Sequence, residues 1–252
     1  MPLRWVRPSR TVDVMAQTGD AFGEALLDFL DGGSGAHVIE RDDGMVEGIP
    51  TCAPYFGGPD AYAPIEQRGL QFIGEKVFDV GAGAGRFSLA VQERGAEAVA
   101  LDDSAGAIEV CRRRGVERVV TESFHTHQPD EHFDTFLMMG HNLGLLAPDP
   151  IRSLQRLAAI AAPDAVIVGT SLDPYATDDP AHLAYHEANR SRGRMGGHIV
   201  LRVRTKRTIG PWFDYLFSTF DELADLARKG GWDAELVASD EVRYLAVLRL
   251  RS

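Results

Sequence analysis

Cysteine is scarce in this chain of 252 residues: Cys52 and Cys111 are the only two, and they stand too far apart for a zinc knuckle or a disulfide framework. Long hydrophobic runs are missing as well. No window approaches the roughly 18 consecutive apolar residues of a membrane-spanning helix, so no membrane partner is expected. Cationic side chains are in the minority, with 26 Lys and Arg against 37 Asp and Glu and a net charge of −11. That balance repels a phosphate polyanion on average, which disfavours nucleic acid as a partner, although a local basic patch could override it. Met1 to Arg10 carries Arg4, Arg7 and Arg10, but the apolar segment of a secretory signal does not follow. The expectation is a soluble cytoplasmic protein. Repeats, low-complexity tracts and linker-like stretches are absent too, so the 44% of hydrophobic residues should build one domain with an elaboration or two.

What is present is a glycine turn between a strand and a helix. Val77, Phe78 and Val80 form a short apolar run that reads as a buried strand, and a helical segment is expected from Arg86 to Arg94. Between them stand Gly81, Gly83 and Gly85. Glycines let the backbone approach a ligand, and a helix N-terminus offers free N–H groups, so the unit suits a nucleotide-type ligand. A dinucleotide fingerprint needs G-x-G-x-x-G, and its third glycine falls on Arg86. Asp79, two residues before the first glycine, would repel a pyrophosphate but suits a cation such as an amino acid's ammonium. That asymmetry favours S-adenosylmethionine over NAD.

Asp79 to Gly85 resembles motif I of the class I S-adenosylmethionine-dependent methyltransferases. The resemblance implies an α/β fold, a Rossmann-like doubly wound seven-stranded sheet, with S-adenosyl-L-methionine as cofactor. It covers Lys76 to Leu172 well, and Thr219 to Leu250 in strand–helix order only. Asp102 ends a second strand 21 residues after Gly81, where an acid can accept hydrogen bonds from both ribose hydroxyls, as it also does in NAD sites. Ser104 reads as the cap of a helix from Ala105 to Arg114. The family often has an apolar residue beside the adenine where this chain has Asp103. The resemblance further implies that Glu122, after a third strand ending at Thr121, accepts a bond from the adenine amino group. Ser123 and Gly140 join the same cofactor set.

Phe133 to Met139 is the fourth strand, and His141 and Asn142 follow it at the edge where open α/β sheets bind ligands. His141 is the candidate catalytic residue. An imidazole with an ordinary pKa near 6.5 can take an acceptor proton around neutrality, or it can simply wall the pocket. His125, His127 and His132 share a loop with Asp130 and Glu131, but no second cluster stands at ligand spacing, and no metal is expected. A fifth strand spans Ala165 to Thr170, after a helix running to about Ala162.

The flanks divide the chain. Residues 1–62 are expected to form an N-terminal lid: a helix over Val12 to Leu30, then a loop from Gly32 to Pro64 holding Tyr55. Residues 63–172 are the cofactor-binding half. Residues 173–218 are an insert after strand five, with a helix and a hairpin whose alternation sets Ile199, Leu201 and Val203 opposite Arg202, Arg204 and Lys206. The arginine run from Arg190 to Arg207 is either a solvated strand face or a contact for an anionic substrate. Residues 219–252 close the domain, with Thr219 and Glu222 as a capping box. Tyr55, Tyr185 and Trp212 are candidate contacts for a small-molecule acceptor with an apolar or aromatic body. The expected function is methyl transfer to an oxygen, nitrogen or carbon nucleophile of such an acceptor. The alternatives are a cofactor-using enzyme that transfers no methyl, such as an intramolecular cyclase, and a non-catalytic cofactor-binding module.

Overall fold

A computed structural model of the chain describes residues 17–251. Its central sheet has seven strands in the order Trp232–Ser239, Arg243–Leu250, Ala161–Leu172, Phe133–Met138, Lys76–Val80, Glu97–Asp102 and Arg118–Thr121. From Ala161–Leu172 onward the neighbours are parallel, and Arg243–Leu250 and Trp232–Ser239 add on antiparallel. The chain runs outward from Lys76–Val80 to Arg118–Thr121, then returns to the other side of Lys76–Val80 as Phe133–Met138. Strand order therefore reverses between Lys76–Val80 and Phe133–Met138. A crevice opens at the carboxyl ends of strands at such a switch point.

Both faces of this sheet are covered. Phe78, Val80, Leu101, Phe136 and Ile167 pack against Leu154, Leu157, Leu223 and Trp232 on one side. On the other, Val77, Leu137 and Val168 meet Phe87, Ala90 and Val91 of the helix Arg86–Gln92. The helix Ala105–Arg114 has the expected bounds, with the Ser104 hydroxyl accepting the Ala107 N–H. The Thr219–Glu222 capping box is formed in both directions, at 3.1 and 3.0 Å.

The expectations fail at the flanks. The first helix is Ala21–Leu30, shorter than the span from Val12, whose first five positions lie outside the described residues. Gln17–Thr18 is instead a strand paired with Thr208–Ile209. The supposed loop from Gly32 to Pro64 contains an antiparallel hairpin, His37–Arg41 with Val46–Ile49, turning at Gly44. Its surroundings are rich in turn residues, but His37-Val38-Ile39 and Val46 had partners elsewhere to recruit them. Ala161–Leu172 also starts earlier than expected, with Pro163 inside the strand near its beginning rather than beyond a helix.

Those partners come from far along the chain. His37–Arg41 pairs antiparallel with His198–Arg204, which also carries Phe213–Leu216. A second sheet of six strands results, built from segments before residue 50 and after residue 197. Directly opposed residues of antiparallel strands share a face. Glu47 opposes Ile39, Ile39 opposes Val203, His37 opposes Ile49, and Tyr215 opposes Ile199. These form the inner face, where His37, Glu47, Ile199 and Leu201 are buried. Glu40, Arg202 and Arg204 lie on the outer face and pair with one another at 2.8–3.0 Å. Two arginines of the run, Arg202 and Arg204, thus form a charged strand face paired within the protein.

Candidate active site

All three glycines of the turn have positive φ, at 72°, 57° and 74°, but their surroundings differ. A Cβ on Gly81 would meet Leu145 and Asn142 at 2.6 and 2.8 Å, and one on Gly85 would meet Val116 and Cys111 at 2.8 and 3.0 Å. Packing against protein accounts for both. At Gly83 the nearest atoms are ring carbons of Phe22, at 3.9 and 4.0 Å. Gly83 is therefore the position where the backbone is left bare toward a gap under the first helix.

Asp102 backs that gap. It is 8% exposed and accepts the Gly83 N–H at 2.9 Å and the Ser104 N–H at 3.0 Å, one on each oxygen. A carboxylate has about four acceptor positions, so each oxygen keeps one for a hydroxyl. Burial raises its pKa to about 7, the two backbone bonds work against that rise, and the charges of Asp103 and Asp20 add to it. The open Gly83 and this half-satisfied acid fit a nucleoside with a cis-diol. Asp79 is 2% exposed and accepts the Ser88 hydroxyl at 2.6 Å, which ties one of its oxygens to the helix Arg86–Gln92.

Asp20, which sequence reasoning missed, docks the first helix onto this region. It caps Gly23 of its own helix and accepts from the Ser104 hydroxyl and the Gly106 N–H at 2.8–2.9 Å. Gly23 and Gly106 allow the two helices to touch backbone to backbone, since a Cβ on either would meet the other at about 2.5–2.6 Å. Phe22 is thereby held over Gly83. A Gly83→Val variant is expected to fill that gap and force a branched residue into a left-handed angle, costing on the order of 1–2 kcal/mol of stability. Titration with S-adenosylhomocysteine should show binding lost in a variant that remains folded; undiminished affinity would mean that the turn is not the site.

On the neighbouring strand end, Gly140 and His141 both adopt left-handed backbone, with φ of 67° and 73°. Histidine tolerates this region better than most residues, but it is uncommon. The conformation is held by the Thr170 hydroxyl, bonded to the His141 N–H at 2.9 Å, and by Tyr215, whose hydroxyl donates to the His141 carbonyl at 2.7 Å. Asn142 donates to the carbonyls of Val80 and Gly81 at 2.9 and 2.8 Å, which ties this turn to the glycine turn. His141 Nδ1 is buried without a hydrogen-bond partner among the described residues. Burial first, and then the Arg243 charge, lower its pKa below the usual histidine value, so the ring is neutral at neutral pH. A cavity of about 60 Å³ beside it is lined by Ala63, Glu66, Gly140, His141, Thr170 and Arg243. Arg86, where a dinucleotide site would have glycine, ion-pairs with Glu66 at 2.5 Å over the rings of Tyr62 and Phe87.

The remaining candidates separate. Tyr55 lies edge-on to Phe22 at 5.4 Å and near His37, and burial raises its pKa to about 12. Tyr185 is committed elsewhere: its hydroxyl bonds Asp42 at 2.6 Å and its ring carries the Arg41 guanidinium at 4.0 Å. Trp212 packs on Arg202 at 4.3 Å and is 43% exposed, with the outer-face charges rather than in the crevice. Tyr185, on the helix Pro180–Ser191, and Trp212, just before the strand Phe213–Leu216, thus have their partners within the second sheet and its flanking helix. Tyr215, three residues on, is the aromatic residue that reaches the His141 turn. Glu122 follows Thr121, which pairs with Asp102, and its carboxylate is exposed and bonded to His127 at 2.9 Å. Ser123 is half-buried, with its carbonyl accepting from the Thr126 and His127 N–H groups. Asp103 is exposed. Among the described residues no group of three or more His, Cys, Asp or Glu is placed to hold a metal ion, and no helix is long and apolar enough to cross a membrane.

The sheet order, the switch-point crevice and an acid spanning Gly83 and Ser104 define a nucleoside-cofactor protein of the doubly wound α/β class. Comparison with known proteins narrows this. A family model described as a methyltransferase domain matches residues 77–164. A methyltransferase from Bacteroides fragilis, solved with S-adenosyl-L-homocysteine, superposes with a TM-score of 0.77 at 25% identity, covering 92% of this chain and 95% of that one. The 1,6-didemethyltoxoflavin-N1-methyltransferase of Burkholderia thailandensis shares the fold at 20% identity and a TM-score of 0.51, covering 75% and 79% of the two chains. The ubiquinone biosynthesis O-methyltransferase of Actinobacillus pleuropneumoniae is 28% identical over 123 residues, or 43% of this chain. The chain spans about half, 50%, of the length of that curated relative. Residues 77–164 thus match a methyltransferase domain, on a fold shared with an S-adenosylmethionine-dependent methyltransferase over most of both chains.

Proposed function

We propose that the chain transfers the methyl group of S-adenosylmethionine to an oxygen, nitrogen or carbon nucleophile of a small-molecule acceptor, with His141 as the base. The observation that carries this is the left-handed His141, whose Nδ1 is buried and unpartnered among the described residues on a turn that Asn142 bonds to the cofactor turn. Asp102 would hold the ribose, the bare Gly83 would admit the ligand backbone, and Phe22 would cover it. The bound cofactor supplies an electrophilic methyl on a sulfonium, which departs as a neutral thioether. His141, neutral at neutral pH, accepts the proton of an acceptor that is not already nucleophilic. Tyr215 and Thr170 bond the His141 backbone carbonyl and N–H and so fix the turn that carries the imidazole, and orientation of this kind supplies much of the rate in a displacement. Two of the neighbours, a 1,6-didemethyltoxoflavin-N1-methyltransferase and a ubiquinone biosynthesis O-methyltransferase, carry names that support a small-molecule acceptor.

The test is the fate of the cofactor with a panel of phenols, carboxylic acids and amines. S-Adenosylhomocysteine and a methylated acceptor are the expected products. Release of 5′-methylthioadenosine would point to cyclisation, and bound cofactor with no turnover across the panel would point to a binding module.

A further inference from the structure

Glu47 has no place in the chemistry described so far. It sits on the strand Val46–Ile49, on the inner face of the second sheet, and is 8% exposed. Its Oε2 is buried with no hydrogen-bond partner among the described residues. Burial raises its pKa to about 7, and among the described residues no cation offsets that. A carboxyl is among the costliest groups to bury unpaired, and such groups are retained where something else pairs with them.

Its surroundings indicate what that is. Across the strands Glu47 shares its face with Ile39 and Val203, and with Tyr215, the residue that reaches over to the His141 carbonyl. Tyr55 stands near the inner-face His37, with ring centroids 6.4 Å apart. Phe22, in edge contact with Tyr55, is the residue over Gly83. Glu47 therefore lies on the sheet face whose Tyr215 bonds the turn that carries His141. Aromatic faces favour a cation over an anion, and a cation is what an uncompensated carboxylate lacks.

We propose that Glu47 is the specificity residue of the acceptor site and binds a protonated basic nitrogen on the acceptor. The acceptor class is thereby an aromatic or apolar amine. This builds on the methyl-transfer reading above, since it places the acceptor between the second sheet and His141. The nitrogen held by Glu47 is an anchor; the methylated atom is the one that reaches His141.

The experiment uses matched probes on the protein saturated with S-adenosylhomocysteine: tyramine against 4-ethylphenol, and tryptamine against 3-ethylindole, by calorimetry. Each amine is expected to bind at least tenfold more tightly than its uncharged partner. Glu47→Gln should erase that preference while leaving S-adenosylhomocysteine affinity unchanged, and Glu47→Asp should keep part of it. Removing an unpaired buried charge should not impair folding, and the wild-type comparison stands without any variant. Equal binding of charged and uncharged partners, an amine preference that survives in Glu47→Gln, or no amine binding at all would each overturn the assignment. An amine held through Glu47 but never methylated would support the assignment and count against methyl transfer, so the two fail separately.

Discussion

Replacing His141 with alanine is expected to reduce turnover by roughly 10² to 10⁴, the usual worth of a positioned general base. Affinity for S-adenosylhomocysteine should be nearly unchanged, because Asp102 and the glycine turn lie on other strand ends. The loss should shrink as the acceptor becomes more acidic, since an acceptor already ionised at the assay pH needs no base. The pH profile gives a second readout. The imidazole pKa is held below 6.5 by burial and by Arg243, with Glu66 working the other way. Wild-type kcat/KM should therefore fall only as pH drops below the ordinary histidine range, when the ring takes a proton. In His141→Ala that acid limb should vanish. A uniform, modest loss across acceptors with the limb intact would leave His141 as part of the pocket wall.

The second large effect is expected at Asp102. Asp102→Ala should weaken S-adenosylhomocysteine binding roughly ten- to a hundredfold, the equivalent of about 1.5–3 kcal/mol for bonds to a charged acceptor. The folded protein holds this carboxyl at a pKa of about 7, against an ordinary value of 3.8. In the ligand-free protein the carboxyl thus stays protonated up to about pH 7, whereas the unfolded chain releases that proton near pH 4. Its contribution to stability is fully present below the unfolded pKa and is lost as pH rises through the folded one. Ribose hydroxyls donate better to the ionised form, so cofactor affinity should rise over the same range. Thermal melts with and without S-adenosylhomocysteine should therefore diverge between about pH 5 and pH 8. Asp102→Asn should flatten both trends. Unchanged affinity in a folded Asp102→Ala protein would remove the ribose assignment.

Local sequence carried much of the cofactor half because its signals are local. The apolar runs of the strands, the caps at Ser104 and Thr219, and the spacing from Gly81 to Asp102 each depend on residues within one strand–helix unit. The second sheet was only partly legible. Alternation in His198 to Thr208 announced a strand, and Ile199 and Leu201 are indeed its buried side. The hairpin His37–Arg41 with Val46–Ile49 did not announce itself, because its composition is that of a loop and its partner strand begins at His198. Trp212 and Tyr185 illustrate the same limit: aromatic identity was visible, but the face each would occupy was not.

By itself, then, the sequence determined the class of cofactor: three glycines at alternate positions, Arg86 where NAD would need glycine, and an acid at position 102. The glycine turn and helix start lie within a few residues of one another and the acid ends the very next strand, so short-range chemistry is enough. Only the tertiary structure decided what the site can meet. Register across strands more than 150 positions apart put Glu47 and Tyr215 on one inner face. Long-range packing also set Tyr215 against His141, which stands at a left-handed angle. Strand side chains alternate with a period of two, so the face a residue takes depends on its distant partner, which neighbouring residues do not encode.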